Sequence, residues 1–539
     1  MSKIYDYIVI GSGFGGSVST MRLAEKGYTV LCIEQGRRYN PEDFPRTNWK
    51  LSKYLWWPPM GMYGIQKLSF YSKASILTGT GVGGGSLVYA NTLFHPEEKF
   101  FRTGSWSTLK NWREELDPYY DVAGFMMGRT KLDRINTEDY ALKKVAEKMG
   151  RADSFENVYV GVNLSDSGEP EDPYFSGLGP TRNRCVDCAA CMTGCRENAK
   201  NTLDKNYLYF AEMFGAEILP ETRVDKIEFD GKTYSIYTRN TRRTGKKNIF
   251  KAEKLILSAG TLGTLKLLFR QKYTYKSLPL LSDKLGENLL TNSETLCAVS
   301  SSAAKLNNGV AISSVFHPDD HTHVEIVKFA DGSNSLKWFF SLATDGGIGS
   351  FARTLKLVGK ILLNPVKIYK TLLRRNWSTN LIIFLVMQDL ENSMKMKWAR
   401  GLFGRKMKII NKGKDRVPAY IPIGQEVMKK YAEEVKGIPQ NIILEILFNR
   451  PTTAHILGGC LMGINDKDSL VNDKLEVHNY HGMYIIDGSI IQANPGVNPS
   501  YSILAMAEYA MAAIPVKDSN KKTLKELIAD KNENSNYEY

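Results

Sequence analysis

At 539 residues the chain is longer than a single hydrophobic core usually supports, so we expect two or more structural units, some of them built from separate stretches of chain. Hydrophobic residues make up 43% and charged residues 24%, which is ordinary for a soluble globular protein and excludes a mainly disordered or membrane-spanning chain. Much of the formal net charge of +14 lies between Arg353 and Arg416, and such an excess fits nucleic acid, an anionic membrane surface or simple solubility.

The N-terminus and the cysteines both bear on location. The sequence passes from Met1 almost directly into the apolar run Tyr7–Ile10, which leaves no room for a secretory signal. The chain has 7 cysteines, an odd number, and several lie close together, which favours metal ligation over a disulfide framework. We therefore expect a reducing, cytoplasmic environment.

The N-terminal segment predicts a strand, a glycine turn, a helix and a second strand. Gly11, Gly13 and Gly16 have the GxGxxG spacing, which permits a tight turn, close approach of the backbone to a pyrophosphate, and close packing of helix on strand. Glu34 follows the second strand, where a carboxylate can accept hydrogen bonds from ribose hydroxyls. The motif predicts dinucleotide binding but does not distinguish NAD from FAD. The three regular elements are predicted at Tyr7–Ile10, Ser17–Lys26 and Tyr28–Ile33.

A second glycine-dense segment, Thr78–Ser86, is too rich in glycine for a regular element. It predicts a loop whose backbone approaches something closely. Residues 101–180 show no clear period and predict mixed helices and loops outside the nucleotide fold. Strands resume at Glu221–Phe229 and Lys254–Gly260, and the second of these is an apolar strand that ends in a glycine turn.

Between these regions lie Cys185, Cys188, Cys191 and Cys195, with the spacing CxxCxxCxxxC. This is the spacing of an iron–sulfur sequence, in which one loop wraps a cluster. No proline follows Cys195, and in two-cluster ferredoxins the fourth cysteine serves the other cluster, of which this sequence shows no sign. Three interpretations therefore stay open: an iron–sulfur cluster, a zinc ion, and reduced or redox-active thiols.

Residues 301–440 form a separate unit of strands around a basic amphipathic stretch. That stretch, Leu355–Arg375, mixes leucines with lysines at near-helical spacing and is interrupted at Pro365. It predicts either a helix in an anionic membrane interface or a helix pair that covers the substrate region with its lysines solvated. No RNA- or DNA-binding signature accompanies the basic residues, which argues against a nucleic-acid partner. The strands are predicted at Phe339–Leu342, Leu381–Met387 and Met394–Trp398.

The C-terminal region predicts one more strand and turn at Met483–Ser489, followed by a helix at Ser500–Ala513. Asn498 is placed to cap this helix and Pro499 to occupy its first position. Residues Asp518–Tyr539 are polar and predicted to fray.

Two segments carry a family resemblance, Gly81-Val-Gly-Gly-Gly-Ser-Leu-Val and Val497-Asn-Pro. With weaker matches over Ile8–Asn91, Val224–Gly263 and His455–Ala513, the sequence resembles the glucose-methanol-choline oxidoreductase family, most of all its cholesterol oxidase branch. The resemblance implies an α/β protein in which a split Rossmann-type FAD-binding domain carries an inserted α+β substrate domain built on a mainly antiparallel sheet. The FAD-binding domain is expected at residues 1–100, 181–300 and 440–517, the substrate domain at 101–180 and 301–439, and the polar tail at 518–539.

The resemblance also implies which residues contact FAD. In the family an asparagine usually follows Ser-x-Val, whereas this sequence has Tyr89 there and Asn91 two residues later, so Asn91 is the alternative contact. Val224 is similar to the residue whose backbone meets adenine, and Asp487-Gly488 to the turn that holds the ribityl and phosphate end. The residues expected to bind FAD are Gly11, Gly13, Phe14, Gly15, Gly16, Glu34, Gly83, Gly84, Gly85, Ser86, Asn91, Val224, Ala259, Gly260, Asp487, Gly488, Asn498, Pro499 and Ser500.

Alcohol oxidation by hydride transfer needs a group that takes the hydroxyl proton, and histidine suits this at neutral pH. His455 resembles the family's active-site histidine and Asn498 its partner. We expect His455 to act as base or hydroxyl orienter and Asn498 to bond the substrate oxygen and the flavin edge. The helix after Asn498 can stabilise negative charge on the flavin through its N-terminal dipole. The other histidines are interpreted as structural, although His317–His323 can also be interpreted as a metal loop.

The predicted function is FAD-dependent oxidation of the CH–OH group of an alcohol. A sterol or another hydrophobic alcohol is the first expectation, together with peripheral contact at the inner face of the membrane. The electrons would pass to dioxygen or, with a cluster at the four cysteines, to an electron-transfer partner. Two alternatives stay open: a sugar or polyol dehydrogenase that passes electrons through an iron–sulfur cluster, and a non-enzymatic redox flavoprotein.

Overall fold

The chain folds into helices and sheets, which the computed structural model describes for residues 3–242, 245–347, 349–373, 376–401, 404–411 and 416–535. Within these ranges the helices are α1 (Phe14–Glu25), α2 (Leu51–Tyr54), α3 (Glu98–Arg102), α4 (Trp112–Met127), α5 (Thr137–Lys148), α6 (Tyr207–Met213), α7 (Thr261–Phe269), α8 (Ser350–Leu363), α9 (Pro365–Ile368), α10 (Pro422–Glu434), α11 (Ile443–Phe448), α12 (Ser500–Ala512) and α13 (Leu524–Ser535). The strands are β1 (Ile4–Ile10), β2 (Val30–Ile33), β3 (Trp56–Trp57), β4 (Met62–Tyr63), β5 (Gln66–Phe70), β6 (Ser75–Gly79), β7 (Thr130–Lys131), β8 (Glu156–Asn157), β9 (Tyr159–Val160), β10 (Glu217–Leu219), β11 (Thr222–Phe229), β12 (Tyr234–Asn240), β13 (Lys247–Leu257), β14 (Leu289–Leu290), β15 (Thr295–Ser301), β16 (Ile312–Asp319), β17 (Thr322–Val327), β18 (Phe340–Leu342), β19 (Leu381–Gln388), β20 (Met394–Gly401), β21 (Gly404–Asn411), β22 (Gly437–Ile442), β23 (Thr452–Thr453), β24 (Leu457–Gly458) and β25 (Met483–Ile485).

The first large sheet is parallel at its centre. Its order is β10-β2-β1-β13-β12-β11, with β25 paired parallel to β13 and with β12 antiparallel to both of its neighbours. Tyr7, Ile8 and Val9 on β1 are fully buried, as expected for a parallel strand that is covered on both faces. The predicted strand, glycine turn, helix and strand at the N-terminus are confirmed, and so is the mixed α/β fold class.

Helix α12 packs against both α1 and α4. Trp112, Leu116 and Tyr120 on α4 belong to the same hydrophobic core as β1. The prediction assigned residues 101–180 to the substrate domain, whereas the packing joins α4 to the nucleotide-binding core and joins α5 to the second sheet. The sequence between these helices therefore crosses from one core to the other.

A buried ion pair ties α1 to α12. Arg22 donates to both carboxylate oxygens of Glu508, at 2.8 and 3.0 Å, and the hydroxyl of Tyr207 donates to the same carboxylate at 2.7 Å. Only 17% of the Arg22 side chain and 5% of the Glu508 side chain are exposed. Each charge depends on the other, because a buried charge without a partner is strongly unfavourable.

The second large sheet is antiparallel, in the order β18-β22-β15-β19-β17-β16-β8. Successive residues of β19 alternate between two cores: Leu381, Ile383 and Leu385 face one core, whereas Ile382 and Phe384 face the other. Helices α5 and α10 pack in the second of these cores. The inserted antiparallel sheet expected for the substrate domain is therefore present.

Strand β20 lies apart from that sheet. It covers the strand predicted at Met394–Trp398, but it pairs with β14 and β21 in a smaller sheet ordered β21-β20-β14-β24. Met394 and Met396 pack into the core of the first sheet. An alternating strand pattern thus identified the strand but not the core against which it packs.

The basic amphipathic stretch is helical, as α8 and α9, with a break at Asn364 directly before the predicted interruption at Pro365. Residues 374–375, at the end of the predicted stretch, lie outside the described residues. Leu362 and Leu363 on α8 are 75% and 83% exposed. In the described part of the chain, no helix combines the length and apolar character needed to cross a membrane.

The C-terminal segment is ordered as α13, so the prediction that Asp518–Tyr539 frays is wrong for its described part. Leu524 is only 2% exposed, and its amide donates to Glu25 at 2.7 Å. Ile528, one helical turn further on, packs against the same core. Two apolar residues at helical spacing are enough to dock a segment that is otherwise polar.

Replacement of Glu508 by alanine should destabilise the fold strongly, because it leaves the Arg22 guanidinium buried without its main partner. We expect the free energy of unfolding to fall by about 3 kcal/mol. The matched control is Asp345→Ala, since the Lys429–Asp345 pair is 55% and 54% exposed, and its loss should cost less than about 1 kcal/mol. Urea unfolding followed by tryptophan fluorescence measures both values. Equal losses for the two variants would contradict the proposed importance of the buried pair.

Candidate active site

The N-terminal glycine turn has two kinds of glycine. A Cβ on Gly15 would lie 1.8 Å from the carbonyl oxygen of Ile486, and one on Gly16 would lie 1.9 Å from that of Gly11. These two positions are therefore closed by backbone packing. Gly13, by contrast, has nothing within 4 Å of its ideal Cβ position. It is the N-cap residue of α1, so no side chain occupies the amides of the first turn. The open position lies where a helix N-terminus can receive an anion.

The glycine-dense loop packs directly on this turn. A Cβ on Gly84 would lie 2.5 Å from the Cα of Gly13, and the amide of Gly83 donates to the Ser12 hydroxyl at 3.2 Å. Ser86 anchors the loop from the other side, since its hydroxyl donates to the Gly83 carbonyl at 2.7 Å and accepts from the Leu203 amide at 3.1 Å. The sequence predicted that the backbone of this loop approaches something closely, and part of what it approaches is the first glycine turn.

Glu34 lies beside the same turn. Its carboxylate accepts from the amides of Ser12 and Gly36 at 3.2 and 2.8 Å and from the Ser12 hydroxyl at 3.0 Å. Burial raises the pKa of Glu34, while these hydrogen bonds act in the opposite direction. The carboxylate is therefore held in place by the motif itself, at the end of β2 where a ribose would lie.

Four of the predicted contacts meet at the ends of the parallel neighbours β13 and β25. Ala259 and Gly260 follow β13, and Gly260 has a positive φ of 72° with open space at its Cβ position. Asp487 and Gly488 follow β25, where the carboxylate of Asp487 accepts from the Ser489 amide at 2.8 Å. Carboxyl ends of parallel strands are where such sheets bind ligands. Val224 lies elsewhere on the first sheet, at a bulge in β11.

A cavity of about 600 Å³ opens beside the glycine loops and extends along the inner face of the second sheet. Its walls bring together residues from opposite ends of the chain, namely Phe14, Gly85, His455, Asn498 and Ser500. The rest of the wall is largely apolar. Its apolar side chains include Leu296, Ile312, Val327, Phe329, Phe340, Ile383, Leu385 and Leu444.

His455 is positioned by a carboxylate that the sequence alone did not single out. Its Nδ1 lies 2.9 Å from Glu294 Oε2, an ion-pair distance without the alignment of a good hydrogen bond, and this leaves Nε2 for a ligand in the cavity. Thr453 bridges the two residues, because its hydroxyl donates to Glu294 at 2.9 Å and accepts from the His455 amide at 2.8 Å. Burial disfavours the imidazolium, but the charge of Glu294 and its contact with the ring outweigh it and raise the pKa of His455.

Asn498 is held by a second carboxylate that was missed. Its amide nitrogen lies 3.4 Å from Glu325 Oε2, and its carbonyl oxygen is buried without a partner. The other oxygen of Glu325 lies 2.8 Å from His323 Nε2. Burial raises the pKa of Glu325 to about 8 and lowers the pKa of His323 to about 3, so both groups are largely neutral at pH 7. Glu325 lies on β17, and the burial of this strand along its whole length is seen only in the structure.

The prediction that Asn498 caps the last helix is wrong. The cap residue of α12 is Pro499, and no side chain bonds the first amides of the helix. The Asn498 side chain contacts Glu325 instead. Because the amides at Ser500 and Tyr501 are not used by a cap, this helix N-terminus stays available to a ligand in the cavity.

Tyr89 and Asn91, the two candidates for the role of the family's usual asparagine, lie in different surroundings. Tyr89 lines the cavity and packs edge-on against Phe14, with ring centroids 5.6 Å apart. Asn91 adopts a positive φ of 61° and is buried with neither amide atom hydrogen-bonded. Buried amides are rarely left unpaired, so Asn498, which lines the cavity, fits a site that gains a partner when a polar ring binds, whereas Asn91 does not line this cavity.

The predicted metal ligands do not form a metal site as they stand. Among the described residues, no three His, Cys, Asp or Glu side chains form a group that could hold a metal ion. In the segment His317–His323, the rings of His317 and His323 pack together with centroids 5.0 Å apart. The four clustered cysteines are free thiols that border one small cavity.

Known proteins resemble this chain along nearly its whole length. Two family models, both described as GMC oxidoreductase, match residues 179–291 and 398–507. The chain is 40% identical over 538 residues to a cholesterol oxidase of Mycobacterium tuberculosis, covering 96% of this chain and 92% of that relative. It is 38% identical over 528 residues to a cholesterol oxidase of Acinetobacter baumannii, covering 95% of each. The solved structure of a pyridoxine 4-oxidase from Mesorbium loti has a TM-score of 0.59 and 14% identity, covering 94% of this chain and 99% of that one, which is a likeness of fold.

Alanine at Gly13 and at Gly16 should have different effects. Gly13→Ala adds a methyl group only to open space, at an ordinary φ of −76°, so folding should persist while flavin dinucleotide binds about tenfold more weakly or worse. Gly16→Ala forces a carbon against the Gly11 carbonyl and should lower both the unfolding temperature and the bound flavin. Flavin absorbance per chain and the unfolding temperature of the apoprotein distinguish the two effects. Full flavin retention by Gly13→Ala would place the ligand's backbone contact elsewhere.

Proposed function

Because the chain belongs to the GMC oxidoreductase family, whose members oxidise the CH–OH group of alcohols with FAD, we propose that its own substrate is a hydrophobic secondary alcohol such as a sterol. The observation that carries this proposal is the cavity: about 600 Å³ with largely apolar walls, and with His455, Asn498 and Glu294 among its few polar groups. A long apolar alcohol can bury its skeleton there and present one hydroxyl to those groups. The two relatives named cholesterol oxidase give the same substrate class.

Bound FAD supplies the hydride acceptor for the carbon that carries the hydroxyl. The chain's part is to hold the hydroxyl and move its proton. We assign the proton to His455 Nε2, because Nδ1 is engaged with Glu294. Asn498 orients the substrate oxygen, with its amide fixed by Glu325. The uncapped amides at the start of α12 stabilise negative charge that develops nearby.

The cofactor contacts follow from the geometry of the two glycine loops. We propose that the pyrophosphate lies at Gly13, where the backbone is open, and that Glu34 accepts from a ribose. The turns at Gly260 and Asp487 would hold the middle of the dinucleotide. Dioxygen is the acceptor we propose first, on the names of the relatives.

A sugar or polyol is the weaker candidate substrate. Such a molecule would need hydrogen-bond partners for several hydroxyls, and the wall formed by Leu296, Ile383 and Leu385 offers none. The non-enzymatic alternative differs from the proposal in a simple way, because it requires no group to take a proton and predicts no reduction of the flavin by any alcohol.

We further propose that the enzyme contacts the inner face of the cytoplasmic membrane through α8. This helix exposes Phe351, Leu355, Leu362 and Leu363 with lysines among them, a composition that suits an anionic interface. Trp338 lines the cavity and is 55% exposed, so the wall of the cavity also presents an apolar side chain to the surroundings. A lipid-dissolved alcohol could then reach the cavity without crossing water.

The substrate proposal is tested by anaerobic bleaching of the flavin, which does not depend on the electron acceptor. We expect a sterol dispersed in detergent to bleach it and glucose or a polyol to leave it oxidised. In His455→Asn the rate constant for bleaching should fall on the order of a hundredfold to ten-thousandfold, with flavin content unchanged. The control is His478→Asn, which removes a histidine bonded to Ser469 and should leave the rate unchanged. Bleaching by sugars alone, or an unaffected His455→Asn, would overturn the proposal.

The pH dependence of bleaching should report the pKa of His455. A base works only when deprotonated, so a raised pKa places the rising limb of the profile at higher pH than for an ordinary histidine. Glu294→Gln removes the main charge that raises this pKa and should shift the limb to lower pH, whereas Glu325→Gln should shift it less. Stopped-flow bleaching across pH measures the limb. A shift to higher pH in Glu294→Gln would contradict the assigned role.

Replacement of Leu362 and Leu363 by glutamate should weaken binding to anionic lipid vesicles, because two exposed apolar groups would become charged. Flotation of the enzyme with phosphatidylglycerol vesicles measures this, and we expect at least a severalfold loss. Bleaching by a detergent-dispersed sterol should persist, since neither residue lines the cavity. Ile464→Glu, at a residue 84% exposed in the nucleotide-binding domain, is the control that should float like the parent enzyme. Equal flotation of all three proteins would reject a contact through α8.

A further inference from the structure

A second, small cavity lies against the loop that carries the clustered cysteines. Its volume is about 20 Å³, and it is lined by Cys185, Cys188, Cys191 and Cys195 together with Lys200. This volume is close to that needed for one water molecule. Four thiols separated by at most three residues along the chain thus border one small cavity, although none of them is part of a disulfide.

The loop is held in an unusual backbone conformation around Cys188. Asp187 and Ala189, on either side of it, adopt positive φ values of 55° and 53° without being glycine. Hydrogen bonds in both directions with Gly309 fix this conformation, from the Ala189 amide to its carbonyl at 2.9 Å and from its amide to the Asp187 carbonyl at 3.2 Å. Non-glycine residues in the left-handed region are strained, and such strain is concentrated at functional sites.

Backbone amides of this region point at sulfur atoms. The amide of Ala199 donates to Cys195 Sγ at 3.3 Å. The backbone amide of Ala311 also hydrogen-bonds toward the sulfur of Cys191. Amide hydrogen bonds to ligating sulfur atoms are among the groups that tune an iron–sulfur centre.

A buried cation completes the surroundings. Lys200 is only 1% exposed, and its ammonium group donates to the carbonyl oxygens of Leu87, Tyr89 and Cys191 at 3.2, 3.1 and 2.8 Å. All three partners are neutral, whereas a buried ammonium is best compensated by negative charge. A centre held by four thiolates is an anion and would supply that charge beside the lysine.

The two cavities are neighbours. Met192, between the third and fourth cysteines, lines the large cavity. Tyr89 also lines it, and the Lys200 ammonium group lies 4.8 Å from the centroid of the Tyr89 ring. One layer of side chains therefore separates the cysteine loop from the proposed flavin site.

We propose that Cys185, Cys188, Cys191 and Cys195 hold an iron–sulfur cluster. The spacing of two, two and three residues between them lets one loop reach the corners of a cluster, whereas zinc ligands usually come as two pairs separated by a longer segment. As they stand, the side chains do not form a ligand group and the cavity has room for about one water molecule, so binding requires the loop to open and the thiols to turn toward the cavity that they already line. The site stands independently of the substrate proposed above, and its place beside the large cavity suits single-electron exchange with the flavin.

Anaerobic reconstitution of the full-length flavoprotein with ferrous iron and sulfide tests the proposal without any mutation. We expect about four iron atoms and four acid-labile sulfides per chain. A broad brown absorbance should appear beneath the flavin bands and should fade with dithionite. Failure to take up iron and sulfide would overturn the proposal, and so would retention of about one zinc ion per chain in their place.

A pair of cysteine variants locates the centre. Cys191→Ala should lose the iron and the brown absorbance while keeping its flavin. Cys297→Ala removes a thiol that is fully buried in the second sheet and should keep both. Iron retained by Cys191→Ala would place the metal elsewhere and overturn the assignment. If Cys191→Ala does not fold, the reconstitution of the parent protein decides alone.

Discussion

The structure depends on backbone touching backbone around one turn. At Gly15 a Cβ would lie 1.8 Å from the carbonyl oxygen of Ile486, and at Gly84 it would lie 2.5 Å from the Cα of Gly13. Three segments that are far apart in the chain thus meet because Gly15 and Gly84 carry no side chain there. This contact brings the start of α1, the glycine-dense loop and the end of β25 to one edge of the first sheet. The strand that leads to the last helix is fixed by the same contact, and with it the position of Asn498.

The proposed chemistry depends on charge placed in an apolar enclosure. Glu294 and Glu325 lie on either side of the His455 and Asn498 pair, with side chains 1% and 0% exposed. Carboxyl groups in such surroundings either find a cation or stay neutral. Glu294 has the imidazole of His455 as its partner, whereas the pKa of Glu325 is raised to about 8 by burial. Glu325 instead lies 2.8 Å from His323 Nε2, and burial lowers the pKa of that imidazole to about 3.

The sequence was informative where function needs a short, fixed spacing. The turn at Gly11–Gly16, the acidic residue at its strand end and the histidine of Ala454–Gly459 could all be located, because each lies within a few residues of a diagnostic neighbour. Glu294 and Glu325 could not be located in this way. Their role arises from the register of strands that lie more than 150 residues from their partners in the chain, as in the contact of Asn498 with Glu325, 173 residues away.

The same limit explains the predictions that were wrong. Asparagine before proline is a common helix cap, but the side chain of Asn498 found a buried carboxyl group instead. Residues 101–180 show no clear period in the sequence, so the packing of α4 against α12 in the first core could not be predicted from it. The difference at Tyr89 also has a physical basis. Its ring lies between Phe14 and the ammonium group of Lys200, which is bound to the carbonyl oxygen of Tyr89 and to that of Cys191. An asparagine could not supply that aromatic face, so the glycine-dense loop and the cysteine loop are joined through a residue at which this chain departs from the family pattern.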